Sequence, residues 1–387
     1  MPRRLAALAA LLLAVLLSPR EANAYAWTVN HGYTTCAACH ADPSGGGLLT
    51  EYGRAQGEVF VRTPWEERGA EWEPGAAAEF AWGAVPVPDW LLVGAVVRGG
   101  PAMSASSGSS AVFPVPMQGD VRAQVQVGRV RGYGSLGVLP TGAAEEARVL
   151  RNDQVNLFSR EHWIGVDLTS DLVVRAGRVA LPYGNRILEH SAWVRTATRT
   201  DINADQQHGV DVHYSRGDLR AEAMVIGGNY QLSPAEFREQ GYSAMVEYSL
   251  GPKLVLGVSS LMGKAQTDVL TLTPDTTRQA HGLQLRASPA HGLAILAEAS
   301  VLLSNQAEPG SVGFVQADYE VVQGLHLMGS GEWLQQEAGT SLGAWGGASW
   351  FLAPKTDLRV DYIHRQVASA GGRTPTHMVL GQLHFSL

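Results

Sequence analysis

The 387 residues contain two cysteines, and they stand three apart with a histidine beside the second: Cys36-Ala37-Ala38-Cys39-His40. C-x-x-C-H is the attachment pattern of a c-type haem. The two thiols add to the two vinyl groups on one macrocycle edge, and the adjacent histidine reaches the iron. The pair could otherwise form a disulfide or a dithiol redox site. A thioredoxin-like site would need a βαβ pattern around it, and none is visible. The reading is therefore one covalent haem c held by Cys36, Cys39 and His40, with His40 as proximal iron ligand. For the distal position the sequence offers His31, five residues before Cys36, since no methionine lies between residue 24 and Met103. The alternative makes His31 an ordinary surface histidine and leaves the iron five-coordinate or ligated from elsewhere in the chain.

The elements that must hold this motif follow it closely. Gly45-Gly46-Gly47 permits a tight turn, against a macrocycle or simply as a loop, and Leu48, Leu49 and Tyr52 offer apolar cover. Residues 25–79 form the expected haem segment, too short to be comfortable as a free-standing domain. It is acidic, with Arg54, Arg62 and Arg68 against eight carboxylates. Such a face could receive a basic electron-transfer partner, although charge runs are more often solvated linkers. Residues 80–89, with Pro86 and Pro88, read as a linker.

Ahead of the segment, Arg3 and Arg4 precede an apolar run from Leu5 to Leu17, and Ala22-Asn23-Ala24 is a small-x-small cleavage site. Residues 1–24 are thus expected to be a secretory signal peptide, since about 13 apolar residues are too few to span a bilayer.

From residue 90 to 387 the hydrophobic period is two. Val121, Ala123, Val125 and Val127 alternate with Arg122, Gln124 and Gln126, and Val379, Gly381, Leu383 and Phe385 close the chain in the same way. Seven short turns alternate with eight longer polar stretches, which predicts sixteen strands with both ends on the short-turn side. That is the pattern of a mainly β, transmembrane antiparallel β-barrel; a soluble β-sandwich also alternates. Only 17% of residues are charged, against about 25% in soluble domains, which favours the barrel. Arg122, Arg220, Glu222, Arg286, Asp318, Arg359 and Asp361 fall on the inward face. The longest connection, Leu181 to Gln207, is expected to be an exposed loop, with in-folding as a constriction the alternative. A net charge of −7 excludes generic nucleic-acid binding. No nucleophile–base–acid set or phosphate-cradling glycine loop is present.

A C-x-x-C-H segment ahead of a porin-like barrel resembles the fused monohaem cytochrome–porin family of the outer membrane. Leu49-Thr50-Glu51-Tyr52-Gly53-Arg54 is similar to the Leu-Asn-x-Phe-Gly-Arg run that follows the haem motif in many of its members. The resemblance implies electron transfer between an extracellular redox substrate, Fe(II) in the best-known members, and a periplasmic electron-transfer protein. It also implies a barrel wall facing outer-membrane lipid, with the haem segment periplasmic or in the lumen. An iron oxidoreductase activity would follow from it. A solute porin with a haem-bearing gate or redox-sensing segment is the competing reading.

Overall fold

The computed structural model describes residues 26–68, 72–106, 109–140, 148–151, 155–228 and 237–387; the expected signal peptide lies outside them. The described residues form eighteen strands. They are β1 (Leu91–Ser106), β2 (Ser109–Val127), β3 (Val130–Pro140), β4 (Arg148–Arg151), β5 (Val155–Phe158), β6 (His162–Asp167), β7 (Leu172–Val179), β8 (Gln207–Arg216) and β9 (Leu219–Gly228). The remainder are β10 (Glu239–Ser249), β11 (Leu254–Thr267), β12 (Pro274–Ala290), β13 (Leu293–Ser304), β14 (Gly310–Val322), β15 (Leu325–Gln336), β16 (Gly339–Ala353), β17 (Thr356–Ser369) and β18 (Gly372–Ser386).

Every neighbouring pair is antiparallel, and the ring closes because β1 pairs with both β18 and β2. β3 pairs with β6 over its first half and with β5 over its second. β5 and β6 are therefore one stave interrupted at Ser159–Glu161, and β4 only extends β5 as a hairpin. The barrel has sixteen staves, as the turn pattern predicted. Closure gives every stave a partner on both sides, as backbone groups in hydrocarbon require.

Period-two alternation sorts the side chains. Val121, Val225, Leu283 and Val360 are exposed on the outer face, while Arg122, Arg220, Glu222, Arg286, Asp318, Arg359 and Asp361 are all buried inside. Outward aromatics fall in two bands. Trp90, Tyr248, Tyr319 and Trp350 stand near the short-turn end, and Tyr242, Trp333 and Tyr362 several residues further up their strands. That arrangement suits the two interfaces of a bilayer.

Three connections expected as long loops are hairpins instead. Ser106 pairs with Ser109, Gln336 with Gly339 and Ser369 with Gly372. The strands continue there through Ser, Thr, Gly and Ala, beyond the apolar band, where neither face selects hydrophobic residues. Backbone pairing persists after the sequence pattern has ended. Pro114 and Pro116 fit the same picture, because β3 engages β2 only from Asp120 to Val127 and proline is tolerated on a strand side without a partner.

The connection between β7 and β8 is folded into the lumen, contrary to the expectation of an exposed loop. Its Ile187, Ala192 and Val194 pack with Leu296, Val312, Phe314, Trp345 and Ile363 of the inner wall. Burial of this apolar set, at about 25 cal/mol per Å², draws the loop inward. Ion pairs fix it at Glu189–Arg359 (2.6 Å) and Arg195–Glu298. A short helix, α1 (Trp193–Thr198), ends at Arg199, whose guanidinium pairs with Asp268 above β11 (2.7 Å). The apolar residues of the loop are scattered through polar sequence, so no period revealed them.

Candidate cofactor site in the lumen

The segment carrying the two cysteines is also inside the barrel, at the short-turn end. Its course is a partial ring along the wall. Trp27 packs on His326 and Phe351, with ring centroids 4.3 and 6.0 Å away. The Thr34 carbonyl accepts from Arg286 (3.1 Å), and the Ser44 carbonyl from Arg220 (3.1 Å). Asp42 is fully buried against Arg175, which also pairs with Asp211 (2.6 Å) and Glu222 (2.9 Å). Leu48 then inserts among Tyr133, Trp163 and Leu181. From Trp27 to Leu48 the segment thus uses the charged inner wall as its core, which answers the stability problem of so short a segment.

Local chemistry shapes the motif. The turn closes with Cys39 N and His40 N both donating to the Cys36 carbonyl (3.2 and 3.1 Å). His40 then bridges to Leu49 in a short antiparallel contact. Thr50 caps the helix that follows (Glu51–Gln56) by accepting from Gly53 N at 3.1 Å, and its hydroxyl donates to the Ala38 carbonyl at 2.9 Å. One side chain therefore starts the helix and pins it to the cysteine turn. Gly53 lies directly on the Cys39 carbonyl, where a Cβ would clash with backbone, and Arg54 donates to the Val93 carbonyl of β1. The Leu49–Arg54 run is a docking device between motif and wall. Gly45, at φ +92°, lies against Cys36; an added Cβ would stand 2.7 Å from the Cys36 Cβ.

Cys36 and Cys39 are not joined to each other as a disulfide. Burial, and secondarily the neighbouring Cys36, pushes the Cys39 thiol up to about 12. Cys39 and His40 line a chamber bounded by the segment, the inner wall and the in-folded loop. Gly46 and Gly57 open onto the same space, since a Cβ at either would meet nothing within 4 Å. Two thiols and an imidazole from one turn, with Cys39 and His40 on the chamber, are the donor set that a thioether-bound haem requires.

His31 is not brought to the chamber with His40. Its Nε2 lies 2.8 Å from Glu320 on β14 and its ring packs on Phe60, with centroids 4.8 Å apart. The other donors lining the chamber are Met328 of β15, His384 of β18 and His190 of the in-folded loop. His384 bonds to Asp357 (2.7 Å), and His190 to Asp201 (2.8 Å). Reasoning limited to the segment could not find these, because their strands converge on it only when the barrel closes. Of the eight carboxylates of the segment, Glu51, Glu66, Glu67, Glu73 and Glu79 are exposed. At the short-turn end Lys355 donates to the carbonyls of Ala77 (2.6 Å) and Glu79 (2.8 Å).

The fold is that of an outer-membrane porin whose lumen is filled by its own chain. Among solved structures, a loop-deletion mutant of OmpT from Vibrio cholerae aligns with a TM-score of 0.55 at 12% identity, covering 77% of this chain and 99% of that one. An anion-selective porin from Comamonas acidovorans aligns at 0.53 and 12%, covering 77% and 99%. OmpF of Salmonella typhi aligns at 0.55 and 11%, covering 77% and 97%. The covered share equals that of the barrel region. No protein-family model and no curated relative matches the chain.

Proposed function

We propose that this protein is an outer-membrane electron-transfer protein. One covalent c-type haem, bound through Cys36 and Cys39 with His40 on the iron, would relay electrons between an extracellular redox substrate and a periplasmic electron-transfer protein. The observation that carries the reading is the placement of the C-x-x-C-H turn in the lumen, on a chamber roofed by an in-folded loop. Lipid cannot reach that chamber, and the two inserted segments leave the barrel poorly suited to bulk solute flow. When bound, the haem supplies a one-electron Fe(III)/Fe(II) couple, so each electron received from one side leaves to the other. The chain's own residues anchor the cofactor edge, exclude lipid and set the polarity around it. The exposed carboxylates at the short-turn end offer a face to a basic partner. Extracellular iron is the substrate that the cytochrome–porin resemblance suggests.

The likeness to solute channels favours a second reading, a porin with a haem-bearing gate. One experiment separates them. Protein matured with haem is inserted into liposomes loaded with a reduced dye, and a soluble Fe(III) chelate is added outside. Haem-dependent dye oxidation, lost in Cys36→Ala/Cys39→Ala, is the expected result. Dye escape equal in both proteins would establish a pore instead. A tight vesicle with no oxidation would refute the conduit.

A further inference from the structure

The chamber carries a charge imbalance. Its carboxylates each have a basic partner: Glu58 with Arg62 (2.5 Å), Glu189 with Arg359 (2.6 Å), Asp318 with His326 (2.7 Å) and Asp357 with His384 (2.7 Å). Arg122 is paired with Asp120 (3.0 Å). Two guanidinium groups on the same chamber make no direct ion pair, Glu161 acting on Arg186 and Asp201 and Asp357 on Arg98 only from further off. Arg98 of β1 is only 7% exposed, and its one polar side-chain partner is the neutral-capable His190 ring. Its Nε has no partner. Arg186, on the in-folded loop, has both Nε and Nη2 buried without a partner. No described carboxylate lies within 4.0 Å of either. Arg54 and Lys355, near the short-turn mouth, also lack carboxylates, but their donors are satisfied by main-chain carbonyls.

An uncompensated buried charge costs several kcal/mol, and a guanidinium offers a planar fork matched to a carboxylate. This arrangement calls for an anion with carboxylate-like oxygens inside the chamber. A haem c carries two propionate carboxylates, placed away from the vinyl positions that the cysteines take. Two carboxylates and two guanidinium groups without a direct ion pair share one chamber with Cys39 and His40. Resting on the haem reading above, we propose that Arg98 and Arg186 bind the haem propionates. They are binding residues that fix the macrocycle and raise its potential by favouring the less positive ferrous state.

The test uses haem-matured full-length protein in detergent, with Arg98→Gln, Arg186→Gln, the double variant and the two Arg→Lys variants. Heat-modifiable migration verifies that each barrel is folded. Expected results are a lower midpoint potential in each Gln variant, a larger drop in the double, and a shifted propionate bending band in resonance Raman spectra. The Lys variants should regain most of the potential. Folded, fully haem-loaded Gln variants with unchanged potential and propionate band would overturn the assignment while leaving the haem reading intact. In that case, potential or thermal stability that responds to added inorganic phosphate in wild type alone would assign the two residues to a free anion. Wild-type protein lacking a pyridine-haemochrome signal would sink both proposals together.

Discussion

The inserted segment should be held in the lumen by charge, and Asp42→Asn isolates that contribution. Asparagine keeps the side-chain oxygen that accepts from Ser44 N (2.8 Å) and so preserves the local turn. It removes the negative charge facing Arg175, and both partners are fully buried. Removing one partner of a buried pair costs about 3–5 kcal/mol. The lower end applies here, because Arg175 keeps Asp211 and Glu222 within 2.9 Å. At about 1.4 kcal/mol per tenfold, the undocked-to-docked ratio of the segment should rise roughly a hundredfold. Anchors at Ser44 and Thr34 remain, so the segment should visit an undocked state rather than leave for good. In planar bilayers the variant should show conductance bursts above a nearly closed wild-type baseline. Limited proteolysis should cut it faster within residues 25–79. A wild type that conducts like an open porin would refute the reasoning. So would a variant whose conductance and cleavage match wild type.

Two further outcomes are expected. Gly53→Ala places a Cβ on the Cys39 backbone, and such overpacking costs about 1–3 kcal/mol; haem per folded barrel should fall. Haem loading of Gly53→Ala equal to wild type would remove the docking role given to the helix. On the in-folded loop, burial holds the Asp205 carboxyl up at about 6, against an ordinary value of about 3.9. A raised folded value means that the native loop binds its proton more tightly than the unfolded chain does. That stabilisation is complete below about pH 4 and is lost as pH rises through about 6. Protease cleavage within residues 181–206 should therefore increase from pH 4 to 7 in wild type and stay flat in Asp205→Asn.

Much of the barrel could be read in the sequence because a lipid-facing wall imposes a strict rule on every second residue. Val121, Val225, Leu283 and Val360 had to be apolar, and inward residues of the same strands such as Arg122, Glu222, Gln284 and Arg359 had to be accommodated inside. The rule lapses where lipid ends. The strand tips around Ser106, Gln336 and Ser369 were unreadable for that reason, although the stave count survived because each turn still reverses the chain. In the β7–β8 connection the apolar contacts of Ile187, Val194 and Trp193 are made with distant strands, and nothing local records them.

The site divides along the same line. Cys36, Cys39 and His40 are visible because haem attachment demands fixed types at fixed spacing within five residues. Thr50 and Gly53 are legible in retrospect, as a helix cap and a residue that must lack a Cβ, and both act within 15 residues of Cys39. Arg98, Arg186, Met328 and His384 obey no such local constraint. Arg98 looks like any other inward polar residue of an alternating strand, and Arg186 like any polar loop residue. What sets them apart is the absence of a paired carboxylate, a property of the closed barrel with its inserted chain. On the reading proposed above, a motif marks the anchoring residues, whereas Arg98 and Arg186 are set apart only by the charge balance of the folded lumen.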